Sequence, residues 1–368
     1  MRIVIIGAGI AGLVFGIRMR RRGHQVTIHE RAEGIPLHGN AFMVHGEGLE
    51  MLRSLGDTNL LPGQMIDRFI MMRPNGEVIR QLDMDPWQCV KRSDLIRFLV
   101  PLFGEDNIHF GSPLSHFNYE EGKAVSAVFE DGRVELGDIF VGADGRLSKV
   151  RETIFGETSF SDVEVNEILG LVRDPALISE APSVFHKYQD GERGLSFGFI
   201  PYSSDELIWY IQYDVRLWPT PFETKDDIKQ ASFRLLQAFP DSVKAVIEKT
   251  DFETVYLWKT RDFNPLPRFH ESNRVLIGDA AHLALPFTSA GTTNAIYDAQ
   301  ALADCLESHP DLDSAFTHYY QQRIEAVSEH LHWGRQLKHS FLHPQGQSLD
   351  ALQTPLISKL TGKAESVR

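Results

Sequence analysis

The order of apolar and polar residues at the start of the chain predicts a strand, a tight turn, a helix and a second strand. Residues 2–6 form a short β-branched run, glycines recur within 7–12, and apolar residues then follow helical spacing through 10–22. Residues 25–29 alternate as a further strand that closes with Glu30. We interpret this stretch as one βαβ unit whose acidic residue stands about 20 positions beyond the turn.

Beyond this unit the pattern becomes typical of antiparallel strands. Residues 68–83 and 124–136 each predict two strands around a short turn that contains glycine. The stretch 160–263 is rich in aromatic residues and in strand-like alternation, and within it 196–201 and 207–213 predict a hairpin. The pattern therefore favours β-rich material inserted into an α/β framework.

Helix and strand patterns of the α/β kind return between and after these segments. A helix is predicted over 94–99, with Pro101 limiting it. Residues 274–277 form a buried β-run, and 293–306 place their apolar residues on one helical face. We therefore expect a nucleotide-binding domain assembled from separated segments of the chain.

Composition narrows the classes of function. The 368-residue chain is 42% hydrophobic, which is enough for a sizeable core, and 37 Lys and Arg against 50 Asp and Glu give a formal charge of −13. This charge disfavours nucleic acid and anionic lipid as partners and favours a small molecule.

Cys89 and Cys305 are the only cysteines, which excludes a disulfide framework and a four-cysteine metal site, and no metal is expected. The longest apolar run, 3–17, is too short to span a bilayer, so we expect a soluble cytoplasmic protein.

The glycines of the first turn form a dinucleotide-binding motif. Gly7, Gly9 and Gly12 follow a predicted strand and open a predicted helix, where free amides can hold a pyrophosphate and glycine lets the backbone approach it. Glu30 would then accept hydrogen bonds from ribose hydroxyls. The alternative is a tight glycine turn that only packs helix on sheet. The motif alone does not choose between NAD and FAD.

Two later motifs make that choice. Asp144-Gly145 follows the run 139–143, and Gly278-Asp279 ends the run 274–277 before a helix. With these three motifs in order, the chain resembles the single-component flavoprotein aromatic hydroxylases, the group typified by para-hydroxybenzoate hydroxylase. The resemblance covers nearly the whole chain, and it includes Arg92 in a segment similar to the arginine-containing helix start of that family.

The resemblance implies a fold class and a cofactor. The expected class is α/β with an α+β insert, in which a Rossmann-like FAD-binding domain of the glutathione-reductase type carries an antiparallel β-sheet substrate domain. The expected boundaries are 1–67, 88–157 and 266–310 for FAD binding, 68–87 and 158–265 for substrate binding, and 311–368 for a C-terminal helical segment. The residues expected to bind FAD are Gly7, Gly9, Gly12, Glu30, Arg31, Arg92, Asp144, Gly145, Asp279 and Gly291.

Some of these residues receive individual roles from the resemblance. Asp279 is expected to accept a hydrogen bond from the ribityl chain of FAD, and the alternative role is a helix cap. The helix that begins near Gly291 is expected to direct its positive end at the flavin ring. Asp144 and Gly145 are expected to contact FAD, although they would equally serve as braces of their loop. Arg92 either reaches the cofactor from outside or is a solvated arginine.

The resemblance also implies a reaction. NADH or NADPH reduces FAD, the reduced flavin takes up O2 to give a C4a-hydroperoxide, and its distal oxygen passes to an electron-rich aromatic or N-heteroaromatic small molecule. The loop 288–294 keeps one glycine where typical members have more, and together with 207–213 it looks closer to the hydroxylases of N-heterocycles. An epoxidase or oxygenase of a polyketide-like or antibiotic scaffold remains an alternative, as does a non-catalytic FAD-binding sensor or scavenger. The protein is expected to be a monomer or a homodimer.

Substrate contacts are expected from the β-rich insert. On the strand 207–213, Trp209 and Tyr213 share one face while the opposite face carries Tyr210 and Gln212, and only one face can border the flavin. We expect the Trp209 face, because ring stacking and a phenolic donor suit a planar substrate. His45, as a polar switch, and Pro286 are expected to approach from the flavin domain. Core packing is the alternative role for each of these residues.

Overall fold

The computed structural model describes residues 1–35, 41–219 and 222–344, with the side chains of residues 85 and 86 left out. In chain order, the strands are β1 Arg2–Ile6, β2 Gln25–His29, β3 Ala41–Val44, β4 Gln64–Met72, β5 Val78–Lys91, β6 Ile108–His109, β7 Leu114–Glu120, β8 Lys123–Phe129, β9 Val134–Leu136, β10 Ile139–Gly142, β11 Val165–Arg173, β12 Val184–Gln189, β13 Leu195–Pro201, β14 Glu206–Asp214, β15 Tyr256–Lys259, β16 His270–Glu271 and β17 Arg274–Leu276. The helices are α1 Ile10–Arg21, α2 Gly46–Arg53, α3 Arg92–Phe103, α4 Lys149–Phe155, α5 Lys225–Leu235, α6 Asp241–Glu248, α7 Gly291–Ser308 and α8 Leu312–Leu342.

The first sheet has six strands in the order β16-β17-β10-β1-β2-β6. β1 pairs in parallel with both β10 and β2, and β17 joins β10 in parallel. Helix α1 packs against both α3 and α7, and its apolar face belongs to the same core as β1. The predicted βαβ unit is thereby confirmed, and the three motifs follow adjacent strands of one sheet.

The second sheet has eight strands in the order β15-β11-β14-β13-β12-β4-β5-β3. Its neighbouring strands run antiparallel except for β12 and β4, which are parallel. One face packs against α5 and α6 in a second apolar core, which leaves the other face to border a cavity. The remaining sheet, β7-β8-β9, is a small antiparallel unit.

Both the hairpin β13–β14 and the turns after β4 and β8 agree with the predicted antiparallel pairs. The prediction that Pro101 limits α3 was wrong, because the helix continues to Phe103. A proline in the last turn removes only one intrahelical hydrogen bond, and the helix ends before Gly104, whose φ is +99°. Helices α5 and α6 lie in a stretch for which only strands were predicted.

The long helix α8 forms the predicted C-terminal helical segment as far as Leu342, while residues 345–368 of that segment lie outside the described residues. The predicted domain boundaries remain predictions. The sheets show that β3, which was assigned to the first domain, is an edge strand of the eight-stranded sheet. No helix within the described ranges combines the length and apolar character needed to cross a bilayer.

Candidate active site

A cavity of about 1570 Å³ lies between the carboxyl ends of the parallel strands and the open face of the eight-stranded sheet. Typical ligand pockets measure about 300–1,000 Å³, so this cavity has room for a dinucleotide and a second small molecule. Ligands of open α/β sheets bind at the carboxyl ends of the strands. Here Gly7, Glu30, Ala143 and Ile277 follow β1, β2, β10 and β17 directly, and all four line the cavity.

Glycine occupies the three positions of the first turn for different physical reasons. Gly7 has a φ of +110°, and a Cβ there would lie 2.3 Å from the carbonyl oxygen of Ala143. A Cβ on Gly12 would lie 2.2 Å from the carbonyl oxygen of Gly7. Gly9 differs, because the nearest atom to its Cβ position is an Arg92 nitrogen at 3.6 Å. Packing therefore requires Gly7 and Gly12, whereas Gly9 leaves space that opens into the cavity.

Arg92 is the first residue of α3 and extends its guanidinium over Gly9. It is exposed and lines the cavity, and no carboxylate of the described residues forms an ion pair with it. Together with the amides at the start of α1, this cation suits a pyrophosphate. Arg31 lines the same part of the cavity next to Glu30.

The Glu30 carboxylate closes the turn from the neighbouring strand. One oxygen accepts a hydrogen bond from the amide of Ala8 at 2.8 Å, and the other accepts one from the amide of Ala32 at 2.9 Å. Each carboxylate oxygen has a second acceptor site. Glu30 therefore fixes the glycine turn and still has capacity to accept ribose hydroxyls.

Asp144 is held by its own loop. Its carboxylate accepts hydrogen bonds from the Ser148 hydroxyl at 2.5 Å and from the amides of Lys149 and Val150 at 2.7 and 3.2 Å, at the start of α4. Burial raises the pKa of this carboxyl, and these hydrogen bonds oppose the increase. Asp144 thus braces the loop while lining the cavity, and Gly145, with a φ of +77°, has open space beside it.

The carboxylate of Asp279 differs from that of Asp144 in its hydrogen bonding. No described residue donates a hydrogen bond to its side chain, and more than a third of the residue is open to the cavity. Its surroundings raise the pKa through desolvation, while the positive charges of His282, Arg92 and Arg151 lower it. A carboxylate deep in a cavity needs a donor. The hydroxyls of a ribityl chain are donors of the required kind, so the residue fits the predicted FAD contact.

A buried ionic network holds the turn that carries Asp279. Asp298 of α7 accepts a hydrogen bond from the amide of Gly278 at 2.8 Å and lies 2.6 Å from His282 Nε2. Its other oxygen accepts a hydrogen bond from Arg323 Nε at 2.7 Å. Burial opposes ionisation of Asp298, but the charges of His282 and Arg323 outweigh it and hold its pKa well below the usual range. His282 therefore has a structural role, since its ring nitrogen contacts Asp298.

Helix α7 begins at Gly291, close to the predicted position. Ala290 occupies the N-cap without a side-chain hydrogen bond, and the preceding residue, Ser289, has a φ of +53°. Residues 289–292 line the cavity. The free amides of an 18-residue helix therefore face the cavity and favour negative charge there.

The predicted substrate face of β14 was wrong. Trp209 and Tyr213 are fully buried in the core against α5 and α6 and do not line the cavity. Their polar atoms are satisfied in that core, because Trp209 Nε1 donates to Thr250 Oγ1 at 2.8 Å and Asn166 donates to the Tyr213 hydroxyl at 3.1 Å. The cavity wall consists of the alternate residues of β14, which are Glu206, Ile208, Tyr210 and Gln212.

The other two predicted substrate residues differ from each other. Pro286 lines the cavity, as expected. His45 is buried outside the lining, where its ring stacks on Trp87 at a centroid distance of 4.0 Å, and Trp87 lines the cavity. Burial lowers the pKa of His45 to about 4, so the imidazole is neutral at neutral pH. Direct contact between His45 and a substrate is therefore not supported by its position.

The cavity face of the sheet carries its side chains in three cross-strand rows. The first row is polar and consists of Glu167, Gln212, Ser196 and Gln189. The second row contains Leu169, Tyr210, Gly198 and Lys187. The third row is apolar, with Leu171, Ile208 and Ile200 on three strands and the pair Phe185 and Phe69 on the next two. A planar ligand on this wall would meet polar groups at one end and apolar side chains at the other.

Gly198 gives the second row its shape. A Cβ on this residue would lie 2.3 Å from the Tyr210 Cζ atom and 2.4 Å from its hydroxyl oxygen. The phenol ring of Tyr210 therefore lies flat over Gly198, toward Lys187 on the next strand. Only glycine leaves room for this arrangement.

Lys187, Glu167 and Tyr210 were not among the predicted site residues, and the sequence contained one signal, which concerns the strand of Tyr210. In β14 the residues at odd positions from 207 to 213 are apolar or aromatic, whereas the even positions from 206 to 212 include Glu206 and Gln212. Polar residues at alternate positions of a buried strand indicate the face that meets a ligand.

A scan of protein families matches residues 1–329 to a family described as FAD binding domain. Among curated relatives, the chain is 28% identical over 351 residues to Aurachin C monooxygenase/isomerase of Stigmatella aurantiaca, covering 89% of this chain and 86% of the relative. It is 26% identical over 367 residues to 3-amino-4-hydroxybenzoate 2-monooxygenase of Streptomyces cremeus, covering 94% and 89%.

Among solved structures, the Klebsiella pneumoniae HpxO complex with FAD and uric acid matches with a TM-score of 0.87 and 21% identity, covering 99% of this chain and 93% of that chain. This likeness shows a common fold. The family match extends over all three motifs, which include the glycine turn and Asp279, and over the start of α7. The chain therefore belongs to the FAD binding domain family, and FAD is its cofactor.

Proposed function

We propose that the protein is an NAD(P)H- and O2-dependent FAD monooxygenase that hydroxylates an electron-rich aromatic or N-heteroaromatic small molecule. The observation that carries the proposal is the cavity itself. It joins the FAD-binding motifs to a sheet wall that bears Tyr210, Lys187 and a row of apolar side chains. The relatives that are named for monooxygenase activity, one of them for a hydroxylated aminobenzoate, support the same class of reaction.

The residues of the chain divide the work of binding FAD. Gly9 leaves room for the backbone to approach the pyrophosphate, and Arg92 supplies the facing positive charge. Asp279 accepts hydrogen bonds from the sugar-alcohol chain, and the amides at the start of α7 stabilise negative charge near Gly291. When bound and reduced by a nicotinamide cofactor, FAD supplies the activation of O2 for oxygen transfer to the ring.

The sheet wall positions the substrate and keeps water away from it. Ile208, Leu171 and Phe185 offer an apolar surface for one part of a ring, while Tyr210 and Gln212 offer polar groups to the other part. Pro286 lines the cavity just before the start of α7. A pocket of few polar groups in an apolar surface fixes the orientation of a planar ligand.

The test uses the FAD-loaded protein with NADH or NADPH and a panel of hydroxylated pyridines, quinolines and benzoates. We expect a product that is heavier by one oxygen, and we expect labelled dioxygen to supply that oxygen. Oxygen derived from water would contradict the proposal, and so would bound FAD with no oxygen-dependent product from any ring of the panel. We further propose a cytoplasmic location, because two free cysteines fit a reducing compartment.

A further inference from the structure

A carboxylate and an ammonium group share the cavity wall without forming an ion pair. Glu167 is 4% exposed, and its only hydrogen bond within the described residues comes from Gln212 Nε2 at 2.6 Å. Lys187 lines the cavity and has no hydrogen-bond or ion-pair partner among the residues described. Charged groups in such places are costly unless a ligand or a partner compensates them.

The strand register places these two groups on either side of an aromatic ring. Glu167 is the cross-strand neighbour of Gln212, in the row next to that of Tyr210. Tyr210 lies over Gly198, and Gly198 is the cross-strand neighbour of Lys187. The three side chains therefore face the same volume of the cavity from strands β11, β14 and β12.

The polar end of the wall lies next to an apolar cluster to which other elements contribute. Val165, two residues before Glu167, packs with Phe287 and with Phe341 of α8. Phe287 follows Pro286 in the short turn that leads to α7. A ring bound against Tyr210 with its polar edge toward Glu167 would therefore lie beside this apolar cluster, where electrostatic interactions are stronger than in water.

We propose that Glu167, Lys187 and Tyr210 form a subsite that ionises the substrate, a planar ring with an acidic hydroxyl or with the tautomeric ring amide. The inference rests on the proposed function and specifies its substrate class. In the ionising step the O–H or N–H bond of the ring breaks, its proton forms a bond to an oxygen of the Glu167 carboxylate, and the electron pair stays on the ring. The resulting oxyanion is held by the Lys187 ammonium and by the Tyr210 hydroxyl. The ring becomes electron-rich, as oxygen transfer requires.

The titration of the cluster agrees with these roles. Burial raises the pKa of Glu167 to about 7, while Gln212 and Lys187 oppose the increase. Burial lowers the pKa of Lys187 to about 8, and Glu167 opposes that decrease. Burial raises the pKa of Tyr210 and of Tyr256, which lines the cavity from β15, and the charge of Glu167 raises both further. Near neutral pH the acceptor is partly ionised, the ammonium is charged, and both phenols remain donors.

These charges predict a bell-shaped pH dependence. Activity should rise with pH through about 7 as Glu167 loses its proton, and it should fall above about 8 as Lys187 loses its charge. Glu167→Gln should remove the acidic limb of the profile, and Lys187→Met should remove the alkaline limb. A purely structural role for either residue would lower activity without removing a limb.

A direct test measures ionisation without turnover. The oxidised, FAD-loaded protein is titrated with 4-nitrophenol at several pH values, and the visible band of the ionised probe is followed by difference spectroscopy. We expect the pKa of the bound probe to fall by about 1–3 units in the wild type, as for an acid beside a buried cation. Lys187→Met should abolish most of this shift, because the cation that stabilises the ionised probe is lost. Glu167→Gln removes a nearby negative charge and should lower the pKa of the bound probe further. Both variants should retain the flavin spectrum.

Matched controls separate this effect from general changes. Glu164→Gln removes an exposed carboxylate that pairs with Lys338, and Lys259→Met removes an exposed ammonium on β15. Both should leave the probe spectrum unchanged. The proposal is overturned if the wild type does not ionise the probe, or if the two cavity variants behave like the controls. Ionised probe without hydroxylation of any ring would instead contradict the proposed function and leave the subsite standing.

Discussion

Arg151 Nη1 donates a hydrogen bond to the carbonyl oxygen of Ala280 at 3.0 Å and joins two parts of the chain that are 129 residues apart. The same guanidinium donates to the carbonyl oxygen of Arg146 at 2.6 Å and to Thr158 Oγ1 at 2.8 Å, and it stacks on Phe263. It therefore connects the loop of the Asp144-Gly145 motif to the turn that carries Asp279. Two motifs that are separate in sequence are fixed to each other by one buried side chain.

Replacement of this residue should loosen both motifs. Arg151→Met removes the donor to the carbonyl oxygens of Ala280 and Arg146. Hydrogen bonds from charged groups contribute about 1.5–3 kcal/mol each. We expect the free energy of unfolding to fall by about 2–4 kcal/mol and FAD to bind more weakly, as measured by urea unfolding and flavin fluorescence. Arg53→Met is the control, because Arg53 is exposed and pairs with Glu50 on the surface. Equal effects of the two substitutions would contradict this role of Arg151.

Alanine substitutions of Gly9 and Gly12 in the first turn should affect different properties, which are FAD binding for Gly9 and stability for Gly12. Gly9 has φ −74° and ψ 179°, which any residue adopts, so Gly9→Ala should leave the stability of the FAD-free protein within about 0.5 kcal/mol. Its methyl group would occupy cofactor space, and we expect at least about tenfold weaker FAD binding. Gly12→Ala should cost about 1–3 kcal/mol of stability, because its Cβ meets the carbonyl oxygen of Gly7 at 2.2 Å. Thermal melts of the FAD-free proteins and FAD titrations separate the two effects.

The carboxylate of Asp279 should matter for the cofactor and little for the fold. It has no donor within the described residues, so Asp279→Ala removes no internal hydrogen bond of that side chain. A lost hydrogen bond to a charged group is worth about 1.5–3 kcal/mol, or about 10- to 100-fold in the dissociation constant of FAD. Fluorescence titration of the FAD-free protein measures this constant. Asp138→Asn, at the surface beside Arg2, should not change it, and unchanged affinity in Asp279→Ala would exclude the contact.

The ionic network around Asp298 should make the stability of the protein depend on pH in the acidic range. Because its folded pKa lies below the ordinary 3.8, ionised Asp298 contributes stability above about pH 4, and this contribution is lost as the pH falls toward the folded pKa. Asp298→Asn should therefore be less stable than the wild type by about 3–5 kcal/mol at pH 7, and the difference should narrow below about pH 4. Urea unfolding at several pH values measures it, with exposed Asp162→Asn as the control. A difference that does not depend on pH would contradict the ionic role.

Local patterns were sufficient for the parts of the fold that place FAD. The strand β1, the glycine turn and the helix α1 could be predicted because their periods lie within a short stretch of sequence. The prediction missed helices α5 and α6 because it extended the aromatic, strand-like pattern of the surrounding stretch 160–263 over residues 225–248. A signal was nevertheless present, since Thr224 and Asp227 form a capping box at the start of α5.

The substrate wall could not be predicted to the same extent. A strand with period two has two faces, and both faces of β14 carry aromatic residues. The choice depends on α5 and α6, which cover Trp209 and Tyr213 from elsewhere in the chain. Likewise, the approach of Glu167 and Lys187 follows from the strand order, which joins residues that no local pattern relates.

Because side chains alternate between the two faces of β14, mutations at its odd-numbered and even-numbered positions should have different effects. Changes at Trp209, Ile211 or Tyr213 act on the core that holds the sheet to its helices. Changes at Ile208, Tyr210 or Gln212 act on the wall that a ligand touches. Libraries that vary only the even-numbered positions should thus alter which rings are accepted while most members still fold, so substrate range and folding can evolve independently within a single strand.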